Sequence, residues 1–148
     1  MPFTLSSSAF REGGAIPKRY TCDGTNVSPA LDWEGAPEGT ASFALIVDDP
    51  DARGFIHWVL FDLMGGATGG LPEAVSESPD APPQGTNGFG KLGYAGPCPP
   101  SGTHHYRFTL YALDATLGLT GAPKADAVRT AMQGHVLAEK TLTGTYAR

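Results

Sequence analysis

The distribution of apolar residues along the chain favours short β-strands. Three stretches, 42–47, 56–63 and 104–113, are rich in β-branched and aromatic residues and are bounded by Gly, Pro or Asp. Weaker stretches of the same kind cover 3–8 and 28–33. These five segments are predicted to be strands, so the fold is expected to be all-β. The alternation of side chains along them also predicts the core residues: Phe43, Leu45, Val47, Val59, Phe61, Phe108 and Leu110.

One segment near the C-terminus has helical periodicity instead. It opens at Pro123, and proline is common at the first position of a helix. Gly134 is expected to break or weaken this helix, which is predicted to cover one edge or end of the sandwich. Its apolar residues recur at helical spacing and form a narrow stripe: Ala125, Val128, Met132 and Val136.

A long span between the second and third strong strands has no regular periodicity. Residues 65–90 are dense in Gly, Pro and Ser. Irregular spans of this length usually carry function or wrap a scaffold. The segment is therefore predicted to be a long loop.

Length and composition fit a single globular domain, predicted to cover residues 1–148. Hydrophobic residues make up 41% of the 148 and charged residues 17%, and the net charge is −5. The Lys and Arg residues are scattered singly along the chain. Because proteins that coat nucleic acid or bind membranes electrostatically need clustered basic residues, neither class is expected here. A pocket for a single phosphate is still compatible with this charge.

The N-terminus and the two cysteines bear on the compartment. The first residues show no basic segment followed by an apolar run, and no apolar stretch reaches the length of a membrane span. Neither a secretory signal nor a transmembrane helix is predicted, and the expected location is cytoplasmic. In that reducing setting Cys22 and Cys98 are expected to be free thiols.

Candidate chemistry lies at the ends of the strong strands. Asp49 follows the first of them, His57 opens the second and His104 opens the third. If the first two strands pair antiparallel, Asp49 and His57 lie at the same end of the sheet. Strict alternation would place His57 on the same side as Val59 and Phe61. The sequence thus predicts one site formed by Asp49, His57 and His104.

Other interpretations of these residues stay open at this point. A histidine at a strand end is commonly a hydrogen-bonded structural residue, and Asp49 before Pro50 can simply shape a turn. Two histidines and a carboxylate also match the ligand set of non-haem iron sites. Cys98 with a histidine and Asp49 imitates a nucleophilic triad, although the prolines on both sides of Cys98 disfavour a reactive thiolate.

A series of different short motifs follows in a fixed order along almost the whole chain. The first half contains Thr21-Cys22-Asp23-Gly24, Ser28-Pro29, Leu31-Asp32-Trp33, Asp49-Pro50-Asp51-Ala52 and His57-Trp58-Val59. The second half contains Gly93-Tyr94-Ala95-Gly96-Pro97-Cys98-Pro99-Pro100, Gly102-Thr103-His104 and Gly144-Thr145-Tyr146. In this order and spacing, the set resembles the bacterial and archaeal branch of the phosphatidylethanolamine-binding (Raf kinase inhibitor-like) proteins.

The resemblance implies a two-sheet antiparallel β-sandwich with a Greek-key-like order and small peripheral helices. It also implies a pocket for small anions such as phosphate, phosphorylethanolamine or acetate. Neither a cofactor nor a metal is expected, because no H-x-H or H-E-x-x-H spacing supports a metal site. Both cysteines fall in segments that the resemblance places near the pocket, so they are expected to lie close together. The ligand-binding residues carried over by the resemblance are Asp49, His57, His104, Tyr106, Pro100 and Cys98.

Three positions depart from the family pattern. Arg53 stands where the family usually has proline, and His105 stands where an arginine usually follows the pocket histidine. The segment before His57 is shorter than in eukaryotic members, which leaves Phe55 where a tyrosine would otherwise reach the ligand. These departures leave phospholipid specificity open.

Two functions are compatible with this sequence. The first is a non-enzymatic binding or regulatory protein, for which the resemblance implies a kinase or a serine protease as a protein partner and a homodimer as the assembly. The second is a metal-dependent or acid–base hydrolase that uses the same Asp/His/His set. The sequence shows no second carboxylate at the site, no nucleophile elbow and no phosphate loop. Neither nucleic acid nor an integral membrane partner is expected.

Overall fold

The computed structural model describes residues 2–148. Single-turn 3-10 helices occur at Lys18–Tyr20, Pro50–Ala52 and Val75–Glu77. The longer elements are β1 Thr4–Ser6, β2 Leu31–Glu34, β3 Ser42–Asp49, β4 Phe55–Met64, β5 Gly69–Leu71, β6 Thr103–Leu113, α1 Ala125–Met132 and β7 Val136–Ala147.

The strands form two antiparallel sheets. The smaller sheet has the order β1-β2-β5 and the larger has the order β4-β3-β6-β7. Every residue of β3 is buried, because this strand is central in a sheet that is covered on both faces. Burial on both faces explains its nearly continuous apolar sequence. The predicted all-β sandwich with small peripheral helices is confirmed.

Two apolar clusters lie on opposite faces of the larger sheet. The main core packs the larger sheet against the smaller one, and the rings of Trp33 and Phe43 meet between them with centroids 5.4 Å apart. The second cluster packs α1 against the other face, with Val59 and Phe61 among its members. All seven predicted core residues are buried, although Val59 and Phe61 belong to the second cluster.

A β-bulge at His57 reverses part of the predicted alternation. Val47 of β3 pairs with Trp58 of β4, and the next residue, Asp48, pairs with Ile56. His57 is therefore an extra residue in β4 that has no partner in β3. Such a bulge re-aims a side chain and bends the strand. His57 therefore faces the main core with Trp58, and its expected grouping with Val59 and Phe61 is wrong.

The C-terminal helix is shorter than its apolar stripe suggested. It ends at Met132, and Gly134 then takes a φ of 80°, which glycine adopts without steric cost. Val136 is the first residue of β7, which was not predicted. The expected loop over 65–90 contains β5 and one of the 3-10 helices. Among the described residues, no helix has the length and apolar character required to cross a bilayer.

Candidate functional site

A pocket of about 170 Å³ opens at one end of the main core, where β3 ends and β4 begins. The structure brings together all six residues that were predicted to bind a ligand. The full lining consists of Asp49, Ala52, Phe55, His57, Phe89, Cys98, Pro99, Pro100, His104 and Tyr106.

Asp49 positions the first imidazole of the pocket. Its side chain is 4% exposed, and its Oδ2 lies 2.6 Å from Nδ1 of His104. Because a carboxylate can only accept, Nδ1 of His104 carries the proton in this bond. The other oxygen, Oδ1, accepts the backbone N–H of Asp51 at 2.8 Å and caps the 3-10 helix. The bond to Asp49 leaves Nε2 of His104 for a ligand.

The second imidazole is fixed by the backbone. Nδ1 of His57 lies 2.6 Å from the carbonyl oxygen of Ala95 and donates to it. The side chain is buried, and this burial lowers the pKa of His57 below its usual value, against weaker opposing effects of the Ala95 carbonyl and the Asp49 carboxylate. At neutral pH the ring is therefore neutral, and Nε2 is an acceptor.

Tyr106 supplies a buried donor, and its ring packs against both imidazoles. Its ring centroid lies 5.2 Å from that of His57 and 6.5 Å from that of His104. Within residues 2–148 its hydroxyl has no hydrogen-bond partner. The backbone N–H of Cys98 faces this hydroxyl without forming a hydrogen bond to it, and its effect is to lower the pKa of Tyr106 slightly. Burial and then the negative charge of Asp49 raise the pKa of Tyr106, so the hydroxyl keeps its proton.

A disulfide holds the pocket wall. Cys22 and Cys98 are bonded, with their Cα atoms 5.4 Å apart, so the predicted proximity is confirmed. The expectation of free thiols differs from the structure, because the fold brings the turn that contains Cys22 against the Cys98-Pro99-Pro100 wall. The backbone N–H of Cys22 also donates to the Pro97 carbonyl at 3.1 Å. Cys98 therefore has no thiol to act as a nucleophile.

Gly96 allows this close contact between the wall and the turn. A Cβ atom at residue 96 would lie 2.1 Å from the carbonyl oxygen of Tyr20, a distance that no side chain tolerates. The N–H of Gly96 donates to Oδ1 of Asn26 at 2.8 Å. Glycine at this position is thus a packing requirement of the pocket wall.

Aromatic residues form the rim of the pocket. The ring centroids of Phe55 and Phe89 lie 4.8 Å apart, and those of Phe55 and His57 lie 5.3 Å apart. Phe89 is 53% exposed and was missed in the sequence because it lies in the long irregular span. Only the fold shows that this span returns to the pocket.

The neighbouring charged residues have structural partners outside the pocket. His105 binds Asp51 through Nδ1 at 2.8 Å, and both side chains are largely exposed. Arg107 makes two hydrogen bonds to the carboxylate of Asp48, at 3.0 and 2.7 Å. Across residues 2–148, no group of three or more His, Cys, Asp or Glu side chains is arranged to hold a metal ion.

Comparisons with known proteins agree with this architecture. The family model for phosphatidylethanolamine-binding protein matches residues 6–147. A UPF0098 protein of Methanothermobacter thermautotrophicus is 53% identical over 150 residues, which cover 97% of this chain and 98% of that protein. A Mycobacterium tuberculosis relative named as a lipoprotein, LppC, is 42% identical over 98% of this chain and 72% of its own length.

Two solved structures share the fold. The homologue CT736 of Chlamydia trachomatis superposes with a TM-score of 0.89 at 36% identity, covering 99% of this chain and 97% of that one. YbcL of E. coli, described as a member of the mammalian PEBP family, has a TM-score of 0.91 at 30% identity and covers 100% of this chain and 99% of its own. By its sequence, its fold and the match of the family model over nearly its full length, the chain belongs to the phosphatidylethanolamine-binding protein family.

Proposed function

We propose that the pocket binds a small phosphate-like anion by hydrogen bonding, as a binding site rather than a catalytic one. The observation that carries this proposal is the Tyr106 hydroxyl, a buried donor without an acceptor on a ring that packs against both imidazoles. A buried donor left unpaired costs about 1–3 kcal/mol. An anion oxygen in the pocket would recover that energy.

The charges of the pocket favour an anion that brings its own proton. Asp49 adds one negative charge, and the neutral His57 offers an acceptor rather than a donor at Nε2. A monoprotonated phosphate group can donate its P–OH to Nε2 of His57 while its other oxygens accept from Tyr106 and lie beside Nε2 of His104. Sulfate carries no proton at neutral pH and requires His57 to become protonated first. Phosphate monoesters have a second pKa near 6, so a monoprotonated fraction is present at neutral pH that sulfate lacks, and they are therefore the preferred class of ligand.

The lining favours binding over hydrolysis. Cys98 is held in a disulfide, and the two oxygens of Asp49 are already bonded to Asp51 and His104. A hydrolase needs a nucleophile or an activated water with a free base, and this lining offers neither a free thiol nor an unengaged carboxylate. The expected kinase or protease partner, the homodimer and the cytoplasmic location stay predictions.

Calorimetric titration with phosphorylethanolamine tests the proposal. Tyr106→Phe removes only the unpartnered hydroxyl and should weaken binding by about 1.5–3 kcal/mol, which is the usual value for a hydrogen bond to a charged group. Tyr94→Phe is the matched control, because its buried hydroxyl donates to the Tyr20 carbonyl at 2.6 Å and lies outside this pocket. Equal affinities for wild type and Tyr106→Phe would contradict the proposal.

A further inference from the structure

A larger cavity lies at the other end of β4. It has a volume of about 650 Å³ and is bordered by the end of β4, by β5 and by residues 72–82. His57 of the anion pocket and Leu63 of this groove stand six residues apart on the same strand, which corresponds to about 20 Å. Each cavity is lined by a different set of residues. The groove is therefore a separate feature of the molecule.

The wall of this groove contains a buried donor without a partner. Trp33 is 5% exposed, and within residues 2–148 its indole N–H has no hydrogen-bond partner. Trp58 differs, because its indole N–H donates to Oε1 of Gln84 at 2.9 Å. Nε1 of Trp33 lies against β5, where a Cβ on Gly69 would stand only 2.6 Å from it. The unpaired donor thus lies where β5 meets the groove.

The strand beside this donor is an open sheet edge. β5 is the end strand of the smaller sheet and pairs only with β2. Among the described residues, Gly69–Leu71 make no backbone hydrogen bond outside the sheet. Outward-facing N–H and C=O groups on such an edge are a ready template for another extended chain. Gly69 and Gly70 are exposed and carry no side chains of their own, although Trp33 and Asp32 of β2 lie across them.

The groove combines negative charge with apolar surface. Asp62 and Asp80 are its only charged residues, since its lining contains neither Lys, Arg nor His. The carboxylate of Asp62 accepts the N–H groups of Leu117 and Gly118, whereas Asp80 forms none of the ion pairs found in residues 2–148. Met64, 89% exposed, adds a large apolar side chain. The negative charge of Asp80 and the apolar surface of Met64 together favour an occupant that carries a cationic group beside an apolar one.

We propose that this groove binds an extended segment of a partner polypeptide in which basic residues alternate with apolar ones. The segment adds a strand to the free edge of β5, next to the indole of Trp33, which lies against Gly69. Its basic side chain lies beside Asp80, and its apolar side chain packs against Met64 and Leu71. Backbone pairing supplies affinity in this mode of recognition, and the side-chain pockets supply specificity. The proposal is independent of the anion pocket.

Titration of the ¹⁵N-labelled protein with a defined peptide tests this inference. The probe is the capped pentapeptide Val-Lys-Val-Lys-Val, compared with Val-Glu-Val-Glu-Val and with a version in which the central valine is proline. The indole resonance of Trp33 is expected to shift with the lysine peptide, because the added strand pairs with β5, against which this N–H lies. The indole resonance of Trp58 serves as the internal control, since its N–H is already bonded to Gln84.

Two exposed carboxylates provide the matched variants. Asp80→Asn should weaken binding of the lysine peptide about two- to fivefold, as expected for an exposed ion pair. Asp126→Asn removes the same charge from a side chain that is 97% exposed and lies outside the groove, and it should leave the affinity unchanged. The proposal is overturned if the Trp33 resonance stays fixed at millimolar lysine peptide, or if the glutamate or proline peptide shifts it equally. A shift produced equally by butylamine would assign the groove to a small cation and would also overturn strand addition.

Discussion

Asp49 holds His104 with one carboxylate oxygen and fixes the start of the adjacent 3-10 helix with the other. Oδ2 lies 2.6 Å from Nδ1 of His104, and Oδ1 accepts the N–H of Asp51 at 2.8 Å. A single buried carboxylate thus joins the end of β3 to the start of β6. It orients the imidazole so that the Nε2 atom is left for a ligand.

The adjacent residues His104 and His105 offer a matched test of the anion pocket. Each imidazole binds a carboxylate through Nδ1, at 2.6 and 2.8 Å, but only His104 lines the pocket. His104→Asn keeps an amide donor near the Nδ1 position for Asp49 and removes Nε2, so it is expected to weaken phosphate binding by about 1.5–3 kcal/mol, the usual value for a hydrogen bond to a charged group. His105→Asn should bind phosphate like wild type. Calorimetric titrations that show equal losses for the two variants would contradict this assignment.

Tyrosine-to-phenylalanine variants should separate stability from binding. The hydroxyl of Tyr106 is buried without a partner, whereas the hydroxyl of Tyr94 donates to the Tyr20 carbonyl. Removal of an unsatisfied group is neutral or stabilising, and removal of a satisfied one costs about 1 kcal/mol. Urea unfolding is therefore expected to show an unchanged or higher free energy of unfolding for Tyr106→Phe and a lower one for Tyr94→Phe. A loss of stability in Tyr106→Phe as large as in Tyr94→Phe would show that its hydroxyl is satisfied.

The sequence predicted the elements whose signal is local. The apolar run of β3 and the aromatic residues of β6 marked two strands, of which β3 is buried throughout and β6 at alternate central positions. Asp49 and His104 were placed correctly at their ends. Alternation failed at His57, because a bulge depends on how β4 pairs with β3 and leaves no mark in the sequence of β4 alone. β7 was missed because Val136 continued the apolar spacing of α1 across Gly134.

Features that depend on distant contacts were beyond such reasoning. Cys22 and Cys98 are 76 positions apart, and spacing alone does not determine a disulfide. Phe89 reaches the pocket rim because its loop folds back over Phe55. The groove around Trp33 arises only when β5 joins β2, and the short Gly-rich segment of β5 carries no strand signal of its own.

Loss of the disulfide should weaken both the fold and the pocket. The bond closes a long loop and anchors the wall that Cys98 shares with Pro99 and Pro100. The double variant Cys22→Ser, Cys98→Ser is expected to lose about 2–5 kcal/mol of unfolding free energy and to bind phosphate less tightly. Urea unfolding and calorimetry would measure the two effects. A reductant should reproduce both losses in wild type and leave the variant unchanged, and a wild-type protein indifferent to reductant would contradict the prediction.

Protonation of His57 should couple anion binding to stability. Burial holds the pKa of His57 in the folded protein below the usual 6.5 that it has in the unfolded chain. Between the folded and the unfolded pKa, the unfolded chain therefore binds more protons than the folded one. The contribution of His57 to the free energy of unfolding is then fully present above about pH 6.5. It falls as the pH drops toward the pKa of the folded state, by at most about 1.4 kcal/mol per pH unit. Sulfate binds the protonated ring, so its affinity should rise over the same range and offset the loss. His57→Asn, whose amide lies near the Nδ1 position and can still donate to the Ala95 carbonyl, should remove both effects. Calorimetry and urea unfolding between about pH 7.5 and pH 5 would measure them, and a sulfate affinity with the same pH dependence in wild type and variant would contradict this role of His57.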